Sequence, residues 1–89
     1  FAFIVDEDPD FTSGWVNLSL AYLRTNKPSK AEHASRKALE INPDHIRAIE
    51  NLVAIYLKTN REEDALELIK RLEKLNSQHS IVLQYRSKL

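Results

Sequence analysis

Three histidines, His33, His45 and His79, are the side chains of this 89-residue chain best suited to ligating a metal or moving a proton near neutral pH. Their spacing serves neither task, because no two stand four residues apart and no carboxylate set surrounds any of them. His45 and His79 lie 34 residues apart, each at a junction leading into a helix, and read as end-of-turn residues; His33 falls on a helix near Lys30 and Arg36. The absence of cysteine excludes disulfides, thiolate metal sites and a cysteine nucleophile. No serine sits in a glycine-rich elbow, and the one glycine, Gly14, falls at a helix start. Neither an activated serine nor a phosphate-cradling loop can be assembled from these parts. The chain is therefore expected to be no enzyme and to hold no cofactor and no metal.

Recognition remains. Thirteen basic and thirteen acidic residues cancel, so the chain lacks the positive footprint by which nucleic-acid binders hold phosphate, and no nucleic-acid partner is expected. No apolar run approaches the roughly 18 residues of a membrane span, so no membrane partner is expected either. The opening FAFIV is too short and lacks the basic flank of a signal peptide. Charge is uneven: Asp6, Glu7, Asp8 and Asp10 crowd the start, whereas Arg86 and Lys88 close the end. A hydrophobic content of 43% against 29% charged residues is that of a chain with a folded core. Its size allows one domain, burying roughly 60–65% of the surface the unfolded chain exposes. Starting at Phe1 with no methionine, it is expected to be part of a longer translation product.

The elements that must position any binding residues are set by an internal repeat. AYLRTN at 21–26 returns as IYLKTN at 55–60, and the same 34-residue shift pairs Leu18 with Leu52, Ala31 with Ala65 and Ala34 with Leu68. Shifted the other way, Asn42-Pro43-Asp44 falls on Asp8-Pro9-Asp10, so an earlier copy ends where the chain begins. Apolar residues within each copy keep helical spacing: Trp15, Leu18, Tyr22 and Leu23 in one stripe, Ala31, Ala34, Ala38, Leu39 and Ile41 in another. Two helices per copy follow. Asn26 can take the left-handed conformation at a helix end, and Pro28 suits the first turn of the next helix. Glu62, Glu63 and Asp64 favour a helix N-terminus. The spacing predicts helices over about 12–25, 28–41, 46–59, 62–75 and 79–88, with a fragment at 1–5.

A 34-residue helix-turn-helix unit with Trp15, Leu18, Ser19, Tyr22, Ala31, Ala38 and Pro43 at these intervals resembles the tetratricopeptide repeat family. The second copy carries Ile49, Leu52, Val53, Tyr56, Ala65, Ile69 and Leu72 in register. Ser35, where the family usually has a large apolar residue, and Ser77, in place of a proline, depart from the pattern. The resemblance implies an all-α fold, a right-handed superhelix of antiparallel helix pairs. Residues 1–11 would be the end of a preceding repeat, 12–45 and 46–79 two full repeats, and 80–89 a capping helix covering the second copy through Val82 or Leu83. Trp15, Leu18, Tyr22, Leu52 and Tyr56 belong to the core on this frame. An uncovered Phe1, Phe3, Ile4 and Val5 would favour association.

The resemblance further implies a concave groove lined by the first helix of each pair. That frame places Ser13, Val16, Asn17, Leu20 and Arg24 on the groove from the first copy, and Arg47, Glu50, Asn51, Ala54 and Lys58 from the second. Ile81, Gln84, Tyr85 and Lys88 would extend it. The implied function is non-catalytic binding of a protein or peptide partner, with Asn17 and Asn51 pairing with peptide amides and Val16, Leu20 and Ala54 touching its side chains. A clamp on a C-terminal carboxylate, known within the family, is only partly matched, because Asn51 stands where a cation is expected. Two alternatives stay open: a repeat spacer within a larger protein with its groove filled in cis, and a homo-oligomer through the exposed ends. Lys27, Lys30, Arg36 and Lys37 make the second helix locally basic, offset by Glu32 and Glu40.

Overall fold

The computed structural model describes residues 12–89, which form five α-helices and a closing 3-10 turn, with no strand among the described residues. In chain order the helices are α1 (Thr12–Arg24), α2 (Pro28–Ile41), α3 (Ile46–Lys58), α4 (Glu62–Leu75) and α5 (Ser80–Tyr85), and the turn is Arg86–Lys88. The expected end of a preceding copy, with the helical fragment at 1–5 and Phe1, Phe3, Ile4 and Val5, lies outside the described residues. Each helix packs on the next, and α1 also touches α3. The expected final helix over 79–88 is shorter, ending at Tyr85 and tightening into the 3-10 turn.

The duplicated phrase folds into the same joint twice. Asn26 and Asn60 are in the left-handed region, with φ of 59° and 60°. That reversal lets the amide of Lys27 donate to the carbonyl of Tyr22 at 2.8 Å and the amide of Arg61 to that of Tyr56 at 2.7 Å, satisfying carbonyls a helix end would otherwise leave open. Thr25 and Thr59 each donate a hydroxyl back to the carbonyl four residues earlier, Ala21 at 3.0 Å and Ile55 at 2.8 Å. The joint into the following pair also repeats. Asn42 Oδ1 accepts from the amide of Asp44 and Asn76 Oδ1 from that of Gln78, so Ser77 builds the same turn as Pro43. His45 and His79 then cap α3 and α5, each ring Nδ1 accepting from an early backbone amide of its helix, Ala48 at 3.3 Å and Ile81 at 3.1 Å.

The core runs along the stack. Ile49, Leu52, Val53, Ile55 and Tyr56 of α3 are buried with Ala31 of α2, with Ala65, Ile69 and Leu72 of α4, and with Val82 of α5. A smaller cluster joins Val16, Ala38 and Ala48. Val82 is the residue that closes the second copy, while Leu83 is 48% exposed. Inside the first copy the position left open by Ser35 is filled by a polar pair: Ser35 and Ser19 are fully buried and share a hydroxyl hydrogen bond, and Ser19 Oγ also reaches the carbonyl of Ala31 at 3.1 Å. Among the described residues no buried side-chain nitrogen or oxygen lacks a partner, so this pair carries no unmet desolvation cost.

Candidate functional site

Of the side chains assigned to the groove, Ser13, Asn17, Leu20 and Arg24 fall at i, i+4, i+7 and i+11 of α1, and Arg47, Glu50, Ala54 and Lys58 at i, i+3, i+7 and i+11 of α3. These are the periods of a single helix face. Ser13, Asn17, Arg24, Arg47, Ala54 and Lys58 are exposed and Leu20 is half-buried, while the opposite side of α3 holds Ile49, Leu52, Val53 and Tyr56 in the core. The two faces are tied edge to edge where Asn51 Nδ2 donates to the carbonyl of Val16 at 3.2 Å. Arg24 and Lys58 occupy the last turns of their helices, where the negative end of the macrodipole favours a cation.

Four assignments change once the side chains are in place. Val16 is 4% exposed, held under Ala38 and Ala48, and is a core residue rather than part of a groove floor. The α2–α3 junction closes over it because alanine at 38 and 48 lets the helices approach. Asn51 and Glu50 are already engaged within the protein. Asn51 spends an amide proton on Val16, and the Glu50 carboxylate accepts from Nε2 of His79. With Nδ1 of His79 accepting from Ile81, Nε2 is the nitrogen that carries the proton, so one imidazole joins α3 to the start of α5. The sequence did hold a signal for this, since His45 and His79 recur immediately before a helix. The recurrence marks a junction, but histidine is not among the preferred capping residues, so the cap itself is not legible in the sequence. At the far end Lys88 does not extend the face; its ammonium pairs with Glu62 at 3.3 Å, 6.0 Å from the Tyr85 ring centre.

Two open clefts lie against the second helices. One of about 590 Å³ has Leu39, Leu52, Tyr56 and Leu68 as its apolar lining, and a second of about 400 Å³ lies among Trp15, Leu18, Tyr22, Lys30, His33 and Ala34. The second cleft corrects the core assignment for the first copy. Leu18 is 39% exposed and Trp15 and Tyr22 are only half-buried, because no helix among the described residues covers α1 as α2 covers α3. Trp15 meets His33 edge-on with ring centres 6.1 Å apart.

Charge across the α2–α4 junction is internally matched. Glu32 accepts from Arg61 at 2.8 Å and from Arg36 at 2.9 Å. Arg36 also donates to the Tyr56 hydroxyl at 2.7 Å, and the Arg61 guanidinium sits 4.3 Å from the Tyr56 ring centre. The hydrogen bond from Arg61 is the main reason the Glu32 carboxyl is held below its ordinary range, partial burial opposing it and Arg36 adding to it. The same contact raises Arg61. Lys37 pairs with Glu40 at 3.5 Å, so Arg36 and Lys37 of the basic run are offset within their own helix, whereas Lys27 and Lys30 have no ion pair among the described residues.

Among the described residues no group of three histidine, cysteine, aspartate or glutamate side chains could hold a metal, and no helix is long and apolar enough to cross a membrane. A search of curated proteins returned no match. A family model described as tetratricopeptide repeat matches residues 22–89.

Proposed function

Because the chain belongs to the tetratricopeptide repeat family, whose members generally mediate protein–protein interaction, we propose that it binds a peptide or partner helix along the aligned faces of α1 and α3. The observation that carries this reading is the face itself. Asn17, Arg24, Arg47, Ala54 and Lys58 are exposed on adjoining helices, while their opposite sides build the core. Asn17 offers a full side-chain amide to a peptide backbone, and Leu20 and Ala54 supply apolar contact. Asn51 keeps its carbonyl oxygen and one amide proton for a ligand after bonding Val16. The family is typically a non-catalytic interaction module.

Peptides selected from a random display library against the full chain test the reading. Binding of the selected peptides should be lost on Ala54→Glu, with helicity unchanged by circular dichroism. Selection of peptides indifferent to both Ala54→Glu and Leu20→Glu would overturn it. A second reading is favoured by the open Trp15, Leu18 and Tyr22 face, which fits a spacer stacked on a further repeat of a larger protein, its groove filled in cis.

A further inference from the structure

The formal charge of the chain is zero, yet the fold separates its signs. The helices α1 and α5 carry no acidic residue, and α3 carries only Glu50, which is taken up by His79. The cations on the α1 and α3 face, Arg24, Arg47 and Lys58, are exposed and have no ion-pair or hydrogen-bond partner among the described residues. On the other side α4 bears Glu62, Glu63, Asp64, Glu67 and Glu73 against Lys70, Arg71 and Lys74. Arg36 and Lys37 of α2 and Arg61, just before α4, pair with Glu32, Glu40 or Asp64, while Lys30, Lys70, Arg71 and Lys74 have no ion pair among the described residues. The α1 and α3 face therefore bears three exposed cations and, among the described residues, no acidic side chain other than the engaged Glu50, whereas the cations of α2 and α4 are interleaved with carboxylates.

From this we infer that the face selects an acidic segment, one whose side-chain carboxylates flank a short apolar centre. The inference rests on the groove reading above and names the chemistry of its ligand. Arg24 and Lys58 hold equivalent places at the ends of α1 and α3, and Arg47 stands eleven residues before Lys58, about 16 Å along the helix. A span of that length is covered by roughly five extended residues. Leu20 and Ala54 lie between the cationic ends, so the matching ligand carries acids at both ends and small apolar residues between. Charge-matched contacts of this kind steer encounter and discriminate against basic partners more than they add affinity. Because Arg24 and Lys58 are exposed and have no ion pair among the described residues, reversing them leaves the core untouched.

The test uses the full chain, labelled for amide NMR, and two peptides acetylated at the start and amidated at the end, so that neither offers a terminal carboxylate. One reads Asp-Glu-Ala-Leu-Ala-Glu-Asp and the other has every acid replaced by its amide. The acidic peptide should shift the amides of Asn17, Arg24, Arg47 and Lys58 with saturation. Its affinity should fall at least about tenfold between 50 and 500 mM salt, and by a similar factor on Arg24→Glu with Lys58→Glu. Lys70→Glu with Lys74→Glu, on the other side of the stack, should leave it unchanged. Equal binding of both peptides at these amides would overturn the charge inference while leaving the groove in place. Shifts confined to α2 and α4, or no shifts with either peptide, would overturn the groove reading as well.

Discussion

At equivalent places the first copy has Trp15, Leu18 and Tyr22 and the second has Ile49, Leu52 and Tyr56. Leu18 is 39% exposed, whereas Leu52 is 3% and Tyr56 6% exposed. Residue type does not account for the contrast, since leucine and tyrosine recur in both. The neighbour does: α2 lies over α3, and no described helix lies over α1. In a stack of repeats burial is conferred by the next unit, so an identical residue can be core in one copy and surface in another. The two copies differ inside as well. Ser19 and Ser35, a hydrogen-bonded pair at the heart of the first, are replaced in register by Val53 and Ile69, an apolar pair, in the second. The first copy is thus held at its centre by a satisfied polar contact and the second by close packing.

The sharpest way to break this comparison is to truncate the equivalent leucines. Leu52→Ala should cost about 2–5 kcal/mol, and Leu18→Ala no more than about 1 kcal/mol, because little apolar area leaves water at an open site. Urea melts followed by circular dichroism would measure both, and equal losses would show that the first face is covered after all. The serine pair comes next. Ser19→Ala should cost about 1–2 kcal/mol by stranding the Ser35 hydroxyl, and Ser35→Ala less, because Ser19 keeps the carbonyl of Ala31. The double alanine variant should be no worse than Ser19→Ala alone, and a strictly additive double-mutant cycle would contradict the pairing.

A smaller effect belongs to the junction between the copies. The folded-state pKa of Glu32 is lowered, so its contribution to stability is complete above the unfolded carboxyl value of about 4.3 and is lost as pH falls through the lowered folded value. Comparing melts at pH 7 and pH 3, Glu32→Gln should start less stable than the parent and lose less on acidification. A variant whose acid loss matches that of the parent would remove Glu32 from the account. The smallest change is expected at Lys58→Glu, within about 1 kcal/mol, as for an exposed residue with no ion pair among the described residues whose charge meets only the end of its own helix.

The repeat made most of the fold legible before any coordinates. Helix starts at Pro28, Ile46 and Glu62 and the left-handed turns at Asn26 and Asn60 follow from local chemistry that is written twice. What could not be read was which copies of a motif have neighbours. The family frame puts Leu18 in the core and Val16 on the groove by register alone. A branched apolar side chain beside Ala38 and Ala48 packs inward; a carboxylate at the same place turns to His79. Contacts across the stack, such as Asn51 to Val16 and Arg61 to Glu32, join residues too far apart in sequence for periodicity to reveal.

The account stands most directly on where a ligand touches the stack. A photo-crosslinking residue placed at Ala54, and in separate proteins at Lys70 and at Leu18, would be irradiated with a display-selected peptide and the adducts mapped by mass spectrometry. Adducts formed from position 54 and not from 70 or 18 are the predicted result. Adducts from Lys70 or from the open face at Leu18, with none from Ala54, would contradict it and move the binding site to the second helices or to the stacking end.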